Sequence, residues 1–235
     1  MNYNPTPTAK KLHDSDNYFR VLIGPIACGK TTAMVMDLFM NPPDSKYPVL
    51  FVTESPSGFL DELLPTIRAW FGDMVQYSHL GRNGVIPITG CDDIRFRHLD
   101  YKNYNESTIK HKSERFSRVL ISNGYGYGCP CSLVKDLACI TYADKRAIIM
   151  EDSGFGVVKK LKKYDIVGSQ FEFIYPSSHL LADNGIDFIV NPDAENIDNL
   201  PEGYYDRLLK CGCIDSEVRR FINCKAVPSF VMIGE

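Results

Sequence analysis

Short apolar runs alternate with amphipathic stretches along most of this chain. "FRVLI" at 19–23 is a compact apolar-rich run that ends at a glycine. After a brief loop, "TTAMVMDLFM" places Ala33, Met34, Met36, Leu38 and Phe39 at mixed helical spacing, and "NPPD" stops it. "YPVLFVTES" is a second β-rich run, bounded by Ser55, Pro56, Ser57 and Gly58. "FLDELLPTIRAWFG" then reads as a helix with Pro65 inside or breaking it. Strand, helix, strand, helix in this order predicts an α/β domain with a mainly parallel central sheet flanked by helices.

Further along, Ile94, Phe96 and His98 alternate as in a strand within the polar stretch 74–116. "SRVLISNG" from Ser117 and "RAIIMEDSG" from Arg146 have the continuous apolar character of buried central strands, each ending in polar residues. "VVKKLKKYD" reads as a short amphipathic helix, "QFEFIYPSS" and "IDFIVNP" as strands, and "LPEGYYDRLLKCG" as a helix stopping at Gly212. Residues 1–18 are polar, carry two prolines in "NPTPTAKK", and read as an extended lead-in segment. With no internal repeat and no low-complexity linker, the expectation is one domain over 1–235.

Composition narrows the class. The chain has 235 residues, 44% hydrophobic and 23% charged, which is ordinary for a packed globular protein. No apolar run approaches the roughly 18 residues of a membrane span, and the polar start does not fit a signal peptide, so the expected setting is the cytoplasm. A net charge of −3 supplies no global field for nucleic acid, so any such contact is local or transient. Eight cysteines (Cys28, Cys91, Cys129, Cys131, Cys139, Cys211, Cys213 and Cys224) in a long chain of this kind are expected to be reduced thiols. The pairs "CPC" and "CGC" do not have the C-x₂₋₄-C spacing usual in structural zinc sites, and no zinc is expected.

The chemistry centres on "GPIACGKTT", Gly24 to Thr32, which satisfies G-x-x-x-x-G-K-[ST] between a strand and a helix, the setting a phosphate loop requires. Gly24 and Gly29 let the backbone of Pro25, Ile26, Ala27 and Cys28 curl so that its N–H groups face phosphate oxygens. Lys30 would reach the β- and γ-phosphates of ATP, and Thr31 would put its hydroxyl on Mg²⁺. Thr32 completes the first turn of a helix whose positive end favours the anion. The expected fold is thus a P-loop NTPase. Hydrolysis also needs a carboxylate at a neighbouring strand tip. By pattern alone the best candidates are Glu151 and Asp152 at the end of "AIIMED"; "RVLI" ends in Ser122 and Asn123, without a negative charge.

At this level of detail the chain resembles a known family. "PTPTAKKLHDSDNYFRVLIGPIACGKTTAMVMDLF" is similar to the start of the ATPase domain of the large subunit of tailed-bacteriophage terminases, motors that pump DNA into capsids. "VLFVTESPSGFLDELLPTIRAWFGD" resembles the family's second strand and its "TI(R/K)xW" helix, and "NPDAENIDNLPEGYYDRLL" resembles a segment near the end of that domain. The resemblance implies an ATP-binding motor that translocates double-stranded DNA, works as a homo-oligomeric ring, and meets a portal and a small terminase subunit. It assigns "AIIMEDSGF" to the coupling strand and Walker B to "VLISNG", so the family's metal-side acid becomes Ser122 and its catalytic glutamate becomes Asn123. The family's arginine after the second strand matches Thr53. Asparagine orients water by hydrogen bonding but takes no proton from it.

Two assignments of the catalytic group therefore stand side by side: Asn123 by resemblance, Glu151 or Asp152 by pattern. The family's nuclease domain has no counterpart here, which implies a separate nuclease chain or a truncated or degenerate copy. Arg68, Arg82, Arg95 and Arg97 are candidates for a cation supplied across a ring. Besides the motor, the sequence is compatible with a nucleotide-binding assembly subunit of little or no turnover. A small nucleotide kinase fits less well, since neither an arginine-rich lid nor a nucleoside pocket is recognisable.

Overall fold

The computed structural model describes residues 2–72, 75–77, 83–87, 92–101, 114–122, 131–152, 171–174, 180–181, 188–189 and 195–211. Their centre is an eight-stranded sheet in the order β3-β4-β5-β2-β6-β7-β1-β8. The strands are β1 (Phe19–Ile23), β2 (Val49–Thr53), β3 (Gln76–Tyr77), β4 (Asn83–Ile86), β5 (Ile94–Asp100), β6 (Arg118–Ile121), β7 (Ile148–Asp152) and β8 (Phe171–Ile174). From β5 to β8 every neighbouring pair is parallel, and only β3 and β4, at one edge, run antiparallel. A separate two-stranded ribbon joins β9 (Leu180–Leu181) to β10 (Phe188–Ile189).

Strand alternation decides what each face of this sheet carries. Leu22, Val49, Phe51, Ile94, Phe96, Leu120 and Ile149 share one buried cluster with Ala9, Leu12, Met34, Leu38, Leu63 and Ile67 from the helical segments, which include α1 (Pro7–Asp14), α2 (Lys30–Met40) and α3 (Leu64–Phe71). Continuing the alternation to the strand ends puts Arg20 and Arg118 at one margin of this face and Thr53, Ser122 and Glu151 at the other. Elsewhere α4 (Cys131–Ile140) buries Leu133 and Leu137.

The lead-in segment is not extended. Residues 7–14 form α1, because the Thr6 side chain caps it by accepting from the Ala9 N–H at 3.3 Å and Pro7 stands where a helix start has no use for an N–H. Thr8, Ala9, Leu12 and His13 give it a buried face, which its many polar residues obscure in sequence. The stretch around Pro65 is one continuous helical segment: a π-helix over Gly58–Leu63 passes into α3 at Leu64, with Pro65 in the first turn of the α-helical part, where proline is tolerated. Of "IDFIVNP" the residues Phe188–Ile189 are strand, while "VVKKLKKYD" lies outside the described residues.

One buried ion cluster ties this framework together at the margin remote from the glycine loop. Asp37, fully buried in the last turn of α2, receives a fork from Arg20 of β1 (Nη2 to Oδ2 2.8 Å, Nη1 to Oδ1 3.2 Å) and a contact from Arg118 of β6 at 3.2 Å. His13 of α1 joins at 3.0 Å and Asn41, just past the helix end, at 2.9 Å. Burial alone would raise the Asp37 carboxyl, but the hydrogen bond from His13 and the guanidiniums of Arg20 and Arg118 outweigh it and hold the group at about 2. The same negative charge, added to burial, pushes the Tyr3 phenol up to about 12.

Candidate functional site

The loop leaves β1 where the sheet connections diverge, with β7 and β6 on one side of that strand and β8 on the other. In open parallel sheets this is the position of ligand crevices. Gly29 takes a left-handed conformation (φ +86°) and caps α2, whose first intrahelical bond runs from the Ala33 N–H to the Gly29 carbonyl at 2.9 Å. The N–H groups of Lys30, Thr31 and Thr32 precede that bond, in the turn where an α-helix has no acceptors of its own. Ala27 is also left-handed (φ +61°), an uncommon state for a residue with a Cβ.

Lys30 is buried, and its ammonium folds into the loop, donating to the carbonyls of Gly24 at 3.0 Å and Pro25 at 2.7 Å. The Cys28 sulfur lies 3.8 Å away; burial pushes that thiol up, despite the lysine beside it. Thr31 Oγ1 donates to Glu151 Oε2 at 2.9 Å, and Ser122 Oγ donates to Glu151 Oε1. The register explains this meeting. Leu120 pairs with Ile149 and Ile121 with Met150, so Ser122 comes next to Glu151, while on the other side Glu151 pairs with Leu22, two residues before the loop. Asp152 ends β7 opposite Ile23, and its side chain is outside the described ones, as is Asn123 entirely.

Behind the loop stands a segment that sequence pattern alone did not connect with it. Asn196 donates through Nδ2 to the Ala27 carbonyl at 2.7 Å, and the Tyr205 hydroxyl of α5 (Tyr204–Lys210) donates to the Ile26 carbonyl at 2.7 Å. Tyr205 packs with Ile26, Cys28, Leu200, Tyr204 and Leu208. Glu195 Oε2 accepts from the Thr8 N–H at 3.0 Å, linking the same segment to α1. The likeness of "NPDAENIDNLPEGYYDRLL" to a segment near the end of a terminase ATPase domain carried no indication that it meets the loop.

Other residues at this margin fill positions the sequence left open. Thr53, where the resemblance has an arginine, donates to the Ser55 carbonyl at 2.7 Å and lies 2.7 Å from His98 Nε2. Glu62, from the π-helix, was not singled out by sequence; burial, with the negative charges of Glu151, Asp61 and Glu54, pushes its carboxyl up. Among the arginines, Arg68 lies over the Tyr77 ring at 4.9 Å, and Arg95 holds the carbonyls of Ser45 and Lys46 at 3.0 Å each. Arg95 stands at the start of β5, the margin away from the loop, whereas Arg82 is outside the described residues. Apart from Cys28, Cys139 and Cys211, which carry free thiols, the cysteine side chains are outside the described set. A cleft of about 630 Å³ opens beside Asn41, Tyr47 and Arg118 and does not touch the loop.

No family model matches the chain, and no curated protein matches it in sequence. Solved structures do. The large terminase of a thermophilic bacteriophage superposes with a TM-score of 0.64 at 11% identity, over 96% of this chain and 54% of that one. The same terminase in complex with ADP gives 0.63 at 13% identity, over 92% and 52%. The ATPase domain of the large terminase from a Thermus phage gives 0.55 at 13%, over 96% of this chain and 95% of that domain. The fold is that of a terminase ATPase domain. This chain spans about half the length of the thermophilic phage's large terminase and nearly all of the Thermus phage ATPase domain. The terminase-like fold carries a mainly parallel P-loop sheet, as the alternation of elements predicts. Among the described residues no helix is long and apolar enough to cross a membrane.

Proposed function

We propose that this chain binds ATP with Mg²⁺ at the Gly24–Thr32 loop and acts as the ATPase subunit of a viral DNA-packaging motor, coupling hydrolysis to movement of double-stranded DNA into a capsid. The observation that carries the reading is the Lys30 ammonium folded among the loop carbonyls, at the N-terminus of α2, on a terminase ATPase fold. The donor set suits a nucleotide triphosphate: loop N–H groups and Lys30 for the phosphates, and the Thr31 hydroxyl for the metal. When bound, Mg²⁺ would offset the charge of the β- and γ-phosphates. Lys30 would leave the Gly24 and Pro25 carbonyls and donate to phosphate oxygens instead. The thermophilic phage relative with ADP supports the nucleotide part of this reading.

By resemblance, the partners would be double-stranded DNA, further copies of this chain in a ring, a portal and a small terminase subunit. Residues 1–235 make one ATPase domain in this reading. Asn123, directly after Ser122, is assigned the water-orienting position, which an amide fills only in part.

The absence of an acid at Ser122 and Asn123 favours a second reading, a nucleotide-binding subunit that stabilises an assembly with little turnover. Measuring ATP turnover with and without double-stranded DNA separates the two. The motor reading predicts turnover that rises with DNA. Binding without turnover, unchanged by DNA, would favour the assembly subunit.

A further inference from the structure

Among the described residues, two carboxylates are buried, in different surroundings. Asp37 has two guanidiniums and an imidazole around it. Glu151 is buried to 5% exposure, and both its oxygens are engaged by hydroxyls, Thr31 on one and Ser122 on the other. Among the described residues it forms no ion pair. An ionised carboxylate removed from water without a cation is costly, and hydroxyl donors offset only part of that cost. One of the two hydroxyls belongs to Thr31, the residue a phosphate loop uses to hold Mg²⁺.

We infer that Glu151 is the metal-side carboxylate of this site, supplied by β7 instead of β6, with the divalent cation of the bound nucleotide as its missing counter-charge. This rests on the nucleotide reading above. Ser122 stands where the terminase resemblance expects an acid on β6. Its hydroxyl holds the Glu151 carboxylate, so the negative charge reaches the same place from the neighbouring strand. The longer glutamate side chain makes this feasible: from the strand beside the loop it spans from Ser122 on β6 to Thr31 on α2. Ser122 is accordingly a positioning residue, and Glu151 contributes charge to the metal without serving as the base that activates water.

The test uses a non-hydrolysable ATP analogue and Mn²⁺ as a paramagnetic probe on the full chain. Analogue affinity is measured in EDTA, and Mn²⁺ affinity of the analogue complex by electron paramagnetic resonance. Glu151→Gln, which keeps the shape and one acceptor, is expected to leave analogue binding in EDTA unchanged or slightly tighter and to weaken Mn²⁺ binding about 10–100-fold. Adding Ser122→Asp to Glu151→Gln moves the charge to β6 and is expected to restore most of the lost Mn²⁺ affinity. Equal Mn²⁺ affinity in wild type and Glu151→Gln, with the analogue bound in both, would overturn the inference and leave nucleotide binding standing. Failure of the wild type to bind the analogue at all would overturn the nucleotide reading and this inference together.

Discussion

The Tyr205 hydroxyl donates to the Ile26 carbonyl at 2.7 Å across 179 positions of sequence. With Asn196 on the next carbonyl, it holds the outer side of the loop so that the inner side can present N–H groups. The left-handed Ala27 itself carries the second of these restraints, two residues before the left-handed Gly29. In the proposed nucleotide-binding reading, the segment 195–211 would act on phosphate binding from behind.

Tyr205→Phe keeps the packing against Ile26 and Leu208 and removes only the hydroxyl. A net hydrogen bond of about 1 kcal/mol, already made in the free chain, predicts an unfolding free energy lower by up to about 1 kcal/mol and, through the less ordered loop, ATP binding weaker by up to about fivefold. Calorimetric titration of ATP checks this; unchanged affinity would mean that the loop holds its form without the clamp.

The Asp37 cluster predicts a stability effect without a direct effect on the site. Asp37→Asn leaves Arg20 and Arg118 buried beside a neutral amide, and loss of one partner of such a pair costs about 3–5 kcal/mol. Urea unfolding of the two proteins measures it, and a difference below about 1 kcal/mol would show that the guanidiniums find other partners.

The same carboxyl sets an acid limit. Its value falls from the usual 3.8 to about 2 on folding, so its ionised form stabilises the native state by about 2 kcal/mol at neutral pH. That contribution is complete above pH 3.8 and disappears as the pH falls through 2. Unfolding free energy followed from about pH 5 to about pH 2 should decline over this window, and the decline should be shallower in Asp37→Asn.

Sequence reading reached the sheet because its central strands are continuous apolar runs, and it reached the loop because glycine, lysine and threonine at that spacing have few other uses. It missed α1, since a helix of eight residues with one buried face looks polar throughout. It named both Ser122 and Glu151 without joining them. Their contact depends on strand order and register, and no local pattern encodes that β7 lies between β6 and β1. Tyr205 was invisible for the same reason, as was the approach of Glu62 to Glu151: these neighbours are distant in sequence.

Turnover separates the two candidate roles at the strand ends. Asn123→Glu adds a group able to take a proton from water, and loss of such a base typically costs about 10²–10⁴ in rate, so turnover should rise at least severalfold and stay raised at saturating Mg²⁺. Glu151→Gln should lower turnover in a way that added Mg²⁺ relieves. A Glu151→Gln defect that no Mg²⁺ concentration relieves would make Glu151 the base.

Every role assigned at the strand ends and the loop depends on the loop holding a nucleotide. Calorimetric titration of ATP in Mg²⁺ into wild type and Lys30→Ala is the most direct measurement. The ammonium that lies 2.7 Å from the Pro25 carbonyl would transfer to phosphate, and losing a charged hydrogen bond of about 1.5–3 kcal/mol predicts binding weaker by about 10–100-fold. Equal affinity in the two proteins, with both folded, would contradict the phosphate-loop account.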